Sequence, residues 1–171
     1  MLSERLNKAI NEQINYEMYS ENIYLAMQAY CSSMDLEGFA NFFKVQVQEE
    51  RFHSMKFFNF INDRGGKVNI GAIEAPENDY DSILDVFKIA YEHEQKVTQR
   101  IYNLADLATE ERDHGTMSFL KWFIDEQVEE ESTFSSMIAK LKRIGENSAA
   151  IYMLDAELAQ RTFTPPADTA Q

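Results

Sequence analysis

The amino-acid sequence predicts an all-α fold, a four-helix bundle with one long crossover connection and a short fifth C-terminal helix. Proline is confined to Pro76, Pro165 and Pro166, so the stretches 1–75 and 77–164 can form long helices. The six glycines fall where the apolar periodicity stops, as expected at helix ends and connections. Between these breaks, apolar residues recur at alternating steps of three and four, the spacing of one helix face.

These signals divide the chain into five helical segments. The connection between the second and third segments is about 15 residues long, enough to run the length of a bundle. This order predicts two helical hairpins joined by a crossover. Ser148, which follows the break at Gly145, is expected to be the N-cap of the last helix. The predicted segments are 3–33, 37–64, 80–108, 116–143 and 148–160, with the crossover at 65–79.

Length and composition limit the organisation and the partners. The 171 residues fit one domain, predicted at 1–162, followed by a polar tail at 163–171. The 29 acidic and 16 basic residues give a net charge of −13, which repels phosphate backbones and attracts cations, so no nucleic-acid partner is expected. No apolar run is long enough for a membrane span, and no signal peptide is visible. A single cysteine, Cys31, excludes an internal disulfide and favours a reducing, cytoplasmic location.

Each of the four long apolar seams is interrupted near its midpoint by charged or amide side chains. A charged group on a core seam costs several kcal/mol unless it is paired or coordinated. In a bundle of four similar helices the midpoints meet at one level, which predicts a buried cluster. Because no lysine or arginine lies on these seams near that level, two divalent cations are needed to balance four carboxylates. The interrupting residues are Glu17, Glu50, His53, Glu94, Gln127 and Glu130.

The ligand types narrow the choice of metal. Carboxylate oxygens with one imidazole and no thiolate suit iron(II) or manganese(II), and zinc is possible. Glu50 and His53 lie three residues apart and therefore share a helix face. Non-haem iron with O₂ is the leading chemistry. His93 precedes Glu94 but points about 100° around the helix, so it is expected at the surface or behind the ligands.

Four fragments at these spacings resemble the ferritin family, specifically the non-haem ferritins of bacteria. The resemblance covers residues 1 to 160, including the fifth helix, and the fragments are NYEMYS at 15–20, QEERFH at 48–53, YEHE at 91–94 and WFIDEQVEEE at 122–131. The chain departs from the di-iron pattern with two Glu-x-x-His motifs, because its second motif reads Gln127-x-x-Glu130. Arg51 occupies the position of the haem-ligating methionine of bacterioferritin, so no haem is expected. The Cys-x-x-Cys pairs of rubrerythrin are absent.

The resemblance implies two ferroxidase irons per subunit. It assigns the first iron to Glu17, Glu50 and His53. Glu50 would bridge to the second iron, which Glu94 and Glu130 also hold. The resemblance further implies a hydrogen-bonding or weakly ligating role for Gln127, electron donation by Tyr24 from its hydrogen bond to a site carboxylate, and a further electron donor at Trp122. The resemblance also implies a third iron site at Glu49, Glu126, Glu129 and Glu130.

The implied function is iron storage with ferroxidase activity. Iron(II) would be oxidised by O₂ or peroxide, and hydrated ferric oxide would be deposited inside a hollow homo-oligomeric shell of 24 subunits. Three alternatives remain. A di-iron oxygenase or peroxidase would need a second Glu-x-x-His motif or an electron-transfer module. A non-catalytic helical bundle would leave the mid-seam charges unexplained. A DNA-protecting mini-ferritin would place its metal site between subunits.

Overall fold

The computed structural model describes residues 1–145 and 147–165, and within this part of the chain it contains five α-helices and no β-strand. Helix α1 packs chiefly on α2 and α3 chiefly on α4, while α5 contacts α2 and α4. Two helical hairpins are therefore joined by the connection at 64–82. The predicted all-α bundle with a short fifth helix is confirmed. The helices are α1 (Glu4–Ser33), α2 (Glu37–Asp63), α3 (Ile83–Glu110), α4 (His114–Ile144) and α5 (Ser148–Leu158).

Local capping sets the helix starts. The Ser82 side chain accepts a hydrogen bond from a first-turn backbone N–H of α3, and Asp113 does the same for α4. These caps start α3 at residue 83 and α4 at residue 114, where the sequence predicted 80 and 116. The prediction that Ser148 caps α5 was wrong. Asn147 caps it, because its Oδ1 accepts a bond from the Ala150 N–H at 3.0 Å.

Three asparagines on one face of α1 hold the crossover in an extended conformation. Four helical residues rise about 6 Å, and two extended residues span almost the same length. Asparagines four apart can therefore bond to every second residue of an extended chain. For example, Asn11 Oδ1 accepts the Asn69 N–H at 2.6 Å, and Asn15 Oδ1 accepts the Gly71 N–H at 2.6 Å. The complete ladder joins Asn7, Asn11 and Asn15 to the backbone of Lys67, Asn69 and Gly71.

The described residues of the bundle form two hydrophobic cores separated by a polar layer. The α5-proximal core includes the buried residues Met27, Phe39, Phe43, Phe87, Phe134, Leu154 and Leu158. The α5-distal core includes Leu6, Ile10, Phe57, Ile101, Leu120 and Phe123. On every long helix the mid-seam polar residues lie between the residues of these two cores. The apolar packing of both halves therefore fixes the polar layer at one level.

Helix α5 approaches the start of α2 very closely. A Cβ added at Gly38 would lie 1.7 Å from the Asp155 carbonyl oxygen, so only glycine fits there. The Phe39 N–H donates to Asp155 Oδ1 at 3.0 Å, and the Asn41 amide donates to the carbonyls of Leu158 and Arg161. These bonds fasten α5 and the residues after it to α2.

The predicted polar tail at 163–171 includes residues 166–171, which lie outside the described residues, so the domain boundary stays a prediction. Over the described chain, none of the helices combines the length and the apolarity that crossing a membrane requires.

An ion pair between Arg64 and Asp113 links the end of α2 to the start of α4, with Nη2 2.8 Å from Oδ2. Asp113→Asn keeps a capping oxygen and loses the charge. We expect it to lower the free energy of unfolding at neutral pH by about 1 kcal/mol, as is usual for a pair near the surface.

The ion pair between Arg64 and Asp113 should also make the free energy of unfolding depend on pH. Hydrogen bonding by Arg64 lowers the pKa of Asp113 from 3.8 to about 2. A carboxyl whose folded pKa is depressed stabilises the fold above its unfolded pKa, and this contribution is lost as the pH falls through the folded value. The difference in free energy of unfolding between wild type and Asp113→Asn, measured in urea, should therefore shrink from about pH 4 towards pH 2. The exposed Asp63→Asn is the control, and a difference independent of pH would contradict the prediction.

Candidate metal centre

The polar layer joins side chains from all four long helices. Helix α1 contributes Glu17, α2 contributes Glu50 and His53, α3 contributes Glu94, and α4 contributes Gln127 and Glu130. Each of these side chains is buried, with at most 5% of its surface exposed. They reach one level because each interrupts its apolar seam at the helix midpoint. The structure therefore brings these six sequence-predicted residues into one buried layer.

Three of them form a compact group of ligand atoms. One donor atom each of Glu17, Glu50 and His53 lies within 4.8 Å of the others. His53 Nδ1 lies 3.6 Å from Glu50 Oε2. Glu17 Oε2 and Glu50 Oε2 are buried and have no hydrogen-bond partner in the part of the chain that the structure describes. Orphaned buried carboxylate oxygens of this kind fit a divalent cation that prefers oxygen and imidazole ligands.

His53 is in the form that a metal requires. Its burial, together with the nearby Lys56, lowers the pKa of the imidazole to about 3. The ring is therefore neutral at physiological pH, and a neutral imidazole nitrogen can ligate without first losing a proton. The rings of Trp122 and Phe123 pack edge-on against it at centroid distances of 5.5 and 5.9 Å. These contacts restrict the orientation of the imidazole.

The remaining carboxylates of the layer are held by neutral hydrogen-bond donors. The Tyr24 hydroxyl donates to Glu94 Oε1, and Gln127 Nε2 donates to Glu94 Oε2 at 3.0 Å. Gln46 Nε2 donates to Glu130 Oε2 at 3.1 Å. Neutral donors orient a carboxylate without cancelling its charge. These bonds orient Glu94 and Glu130, which do not belong to the compact group of Glu17, Glu50 and His53.

Mutual repulsion and burial make this layer electrostatically costly without a cation. Burial is the main cause that raises the pKa of Glu17, and that of Glu50 and Glu130 well above the usual range. The Glu17 and Glu94 carboxylates raise the pKa of Glu50 further. Burial raises the pKa of Glu94 to about 7, against the hydrogen bonds from Tyr24 and Gln127. Divalent cations would remove this cost by neutralising the carboxylates.

The residues predicted for a third site lie beside this layer. Glu49 and Glu126 are half-buried and Glu129 is exposed. The pKa of Glu49 is raised to about 7, chiefly by burial, with smaller contributions from the Glu126 and Glu129 carboxylates and with Arg161 opposing the rise. The three carboxylates are thus close enough to interact, but they do not belong to the compact group of Glu17, Glu50 and His53.

Sequence reasoning missed several polar residues around the layer. Gln46 is buried on α2, and no role was predicted for it. His93, which was expected at the surface or behind the ligands, is 5% exposed, and its Nε2 lies 2.8 Å from Ser20 Oγ, a contact that was not predicted. Arg161, beyond the last helix, forms an ion pair with Glu49. The sequence contained no local signal for the contacts of His93 and Arg161, because their partners lie far away along the chain.

Comparisons with known proteins agree with this architecture. The sequence profile of the ferritin-like domain family matches residues 7–144. The bacterial non-heme ferritin of Staphylococcus aureus (strain USA300) is 50% identical over 163 residues, covering 95% of this chain and 98% of the relative. That of Staphylococcus haemolyticus is 48% identical with the same coverage.

Solved structures give the same result. An engineered closed form of the Archaeoglobus fulgidus ferritin superposes with a TM-score of 0.95 at 46% identity, covering 96% of this chain and 100% of that one. The open-pore ferritin of the same archaeon superposes with a TM-score of 0.94 at 45% identity, covering 95% of this chain and 100% of that one.

Proposed function

This chain belongs to the ferritin family, and on that premise we propose that it is an iron-storage ferroxidase. It oxidises iron(II) to iron(III) with O₂ or peroxide at the polar layer and deposits hydrated ferric oxide inside a hollow shell of its own copies. The observation that carries this proposal is the group of Glu17, Glu50 and His53, in which one buried oxygen of each carboxylate has no hydrogen-bond partner among the described residues.

The proposal gives each residue of the layer a role. Glu17, Glu50 and His53 hold the first iron. Glu50 bridges to the second iron, which Glu94 and Glu130 also hold. Gln127, through its bond to Glu94, positions that carboxylate or ligates weakly. A third iron binds beside the pair, at Glu49, Glu126, Glu129 and Glu130.

The chemistry follows from these ligands. Two iron(II) ions supply two electrons, which with two protons reduce O₂ to hydrogen peroxide or hydrogen peroxide to water. Hard carboxylate oxygens favour the iron(III) product and balance its added charge. Tyr24 donates a further electron, a role that its hydrogen bond to Glu94 supports. The protein thereby contributes ligand position and charge rather than a covalent intermediate.

The storage part of the proposal concerns the assembly. The family relationship supports a homo-oligomeric shell of 24 subunits. The chain charge of −13 would give such a shell roughly −300 in total, which favours cation uptake. All donors of the compact group come from one chain, which favours this assembly over a mini-ferritin whose metal site lies between subunits.

Aerobic addition of iron(II) to the metal-free protein tests the proposal, with near-ultraviolet absorbance as the measurement. We expect a fast phase that saturates near two or three irons per chain, because the ligand sets are limited in number. A slower phase should follow at several hundred irons per particle and leave the mineral in solution. Oxidation no faster than in protein-free buffer, with precipitation of hydrated ferric oxide, would refute the proposal.

A further inference from the structure

The guanidinium of Arg161 is already hydrogen-bonded to Glu49, one carboxylate of the proposed third site. Its Nη2 lies 3.0 Å from Glu49 Oε2 and 3.3 Å from Glu49 Oε1. Both side chains are largely covered, with 26% of the Arg161 side chain and 20% of the Glu49 side chain exposed. A hydrogen-bonded ion pair between largely buried partners is stronger than an exposed one. A cation that uses Glu49 must therefore compete with Arg161.

The docking of α5 on α2 places Arg161 at this position. The Asn41 amide donates to the Arg161 carbonyl at 2.9 Å and fixes the backbone after α5. The guanidinium stacks over the Phe42 ring at 4.4 Å, and its Nη1 donates to the Phe42 carbonyl at 3.4 Å. Backbone, ring and carboxylate contacts thus hold the Arg161 side chain in a single orientation.

The charge of Arg161 acts on the cluster as well as on its partner. It opposes the rise of the Glu49 pKa, and it opposes the effect of burial on the pKa of Glu130, which belongs to the paired site. A surface groove of about 560 Å³ between α2, α4 and α5 is lined by Arg161 and Glu129. The Arg161 side of the ion pair and Glu129 therefore face the same groove.

We propose that Arg161 is a built-in counter-ion of Glu49, which a third cation must displace. It thereby weakens the third site, so that iron fills the paired ligands first. This inference rests on the proposed function, because it presumes that Glu49, Glu126, Glu129 and Glu130 bind a third cation. Arg161 acts through Glu49 and is a positioning residue, not a ligand.

Calorimetric titration of the metal-free assembled protein with zinc(II), which is redox-inert, tests the proposal. In Arg161→Gln the third equivalent per chain should bind about five- to tenfold more tightly, because a charge-assisted bond to Glu49 no longer competes. The first two equivalents should bind as in wild type. Arg161→Lys, which keeps the charge without the forked geometry, should lie between the two.

The matched control is Lys140→Gln. Lys140 bonds to Glu157 of α5 at 2.9 Å, so this variant also removes one positive charge and one contact of α5, without touching Glu49. The third zinc(II) equivalent should bind to Lys140→Gln with the same affinity as to wild type. Equal tightening in Lys140→Gln, or tightening by Arg161→Gln that persists in a Glu49→Gln background, would overturn the proposal, because either result means a general charge effect.

The outcomes also separate this inference from the proposed function. If Glu49→Gln abolishes the third equivalent but Arg161→Gln leaves it unchanged, Arg161 has no such role while the third site stands. If Glu49→Gln does not affect a third equivalent, both the third site and the role of Arg161 are refuted, while the paired iron site stands. Looser binding in Arg161→Gln would indicate that the residue is merely structural and would also overturn the proposal.

Discussion

Glu50→Gln is expected to eliminate the fast phase of iron oxidation while making the metal-free protein more stable. Glu50 is the carboxylate that we propose to bridge both irons, and its Oε2 is buried without a hydrogen-bond partner at residues 1–145 or 147–165. The amide has the same shape but cannot bridge two cations as an anion. Loss of even an outer partner of a metal site costs 10- to 100-fold, so losing this bridge should lower the initial rate by about 100-fold or more.

The stability change has the opposite sign because burial disfavours the ionised form of Glu50. The Glu50 carboxylate is repelled by Glu17 and Glu94 in a buried environment. Removing the ability to ionise should raise the free energy of unfolding by about 1–3 kcal/mol in the absence of metal. Added zinc(II) should then stabilise wild type much more than Glu50→Gln, since a ligand stabilises the state that binds it.

Stopped-flow absorbance with iron(II) and thermal unfolding with and without zinc(II) measure both effects. The exposed Glu92→Gln on α3 makes the same chemical change outside the layer and should alter neither quantity. Size-exclusion chromatography checks that the shell is intact. Wild-type oxidation by an assembled Glu50→Gln would contradict the proposed centre and favour a non-catalytic bundle.

Gly38→Ala should detach α5 from the bundle. The added Cβ would lie 1.7 Å from the Asp155 carbonyl oxygen and 2.5 Å from its carbonyl carbon, and these backbone atoms cannot rotate away. Helix α5 must therefore move, and its bonds to Phe39 and Asn41 must break. Overpacking against backbone, with loss of these bonds, should cost about 3 kcal/mol or more.

Thermal unfolding and limited proteolysis after α4 measure this change. Gly71→Ala is the matched control, because its Cβ would meet Asn15 only at an ordinary 3.5 Å. We expect a lower unfolding midpoint and faster C-terminal cleavage in Gly38→Ala only. Wild-type stability and cleavage in Gly38→Ala would show that the close approach of α5 does not constrain the fold.

The sequence was sufficient for the bundle because its signals are local. Proline-free segments with an apolar seam can form only long helices, and interruptions at each midpoint must meet at one level when the seams pack. The burial of Glu17, Glu50 and Glu94 in one layer follows from that geometry, and Cys31 is buried as a small apolar residue would be. That these three glutamates bind iron stays a prediction.

Contacts between distant residues could not be predicted in the same way. Arg161 lies 112 residues from Glu49, and nothing near it in the sequence indicates which carboxylate it meets. The asparagines of α1 have helical spacing but look like an ordinary solvated face until the crossover is placed on them. Asn147 and Ser148 are both good N-caps, so only the path of the backbone decides between them.

The division of the interior into two cores has a consequence for engineering this scaffold. Mutations at separated sites without shared partners usually have additive effects on stability, and contacting sites do not. Phe57 belongs to the α5-distal core and Phe87 to the α5-proximal core. Apolar substitutions around these two residues therefore fall in different clusters. Variants of the two cores can therefore be selected in separate libraries and then combined, because the acidic layer lies between the cores.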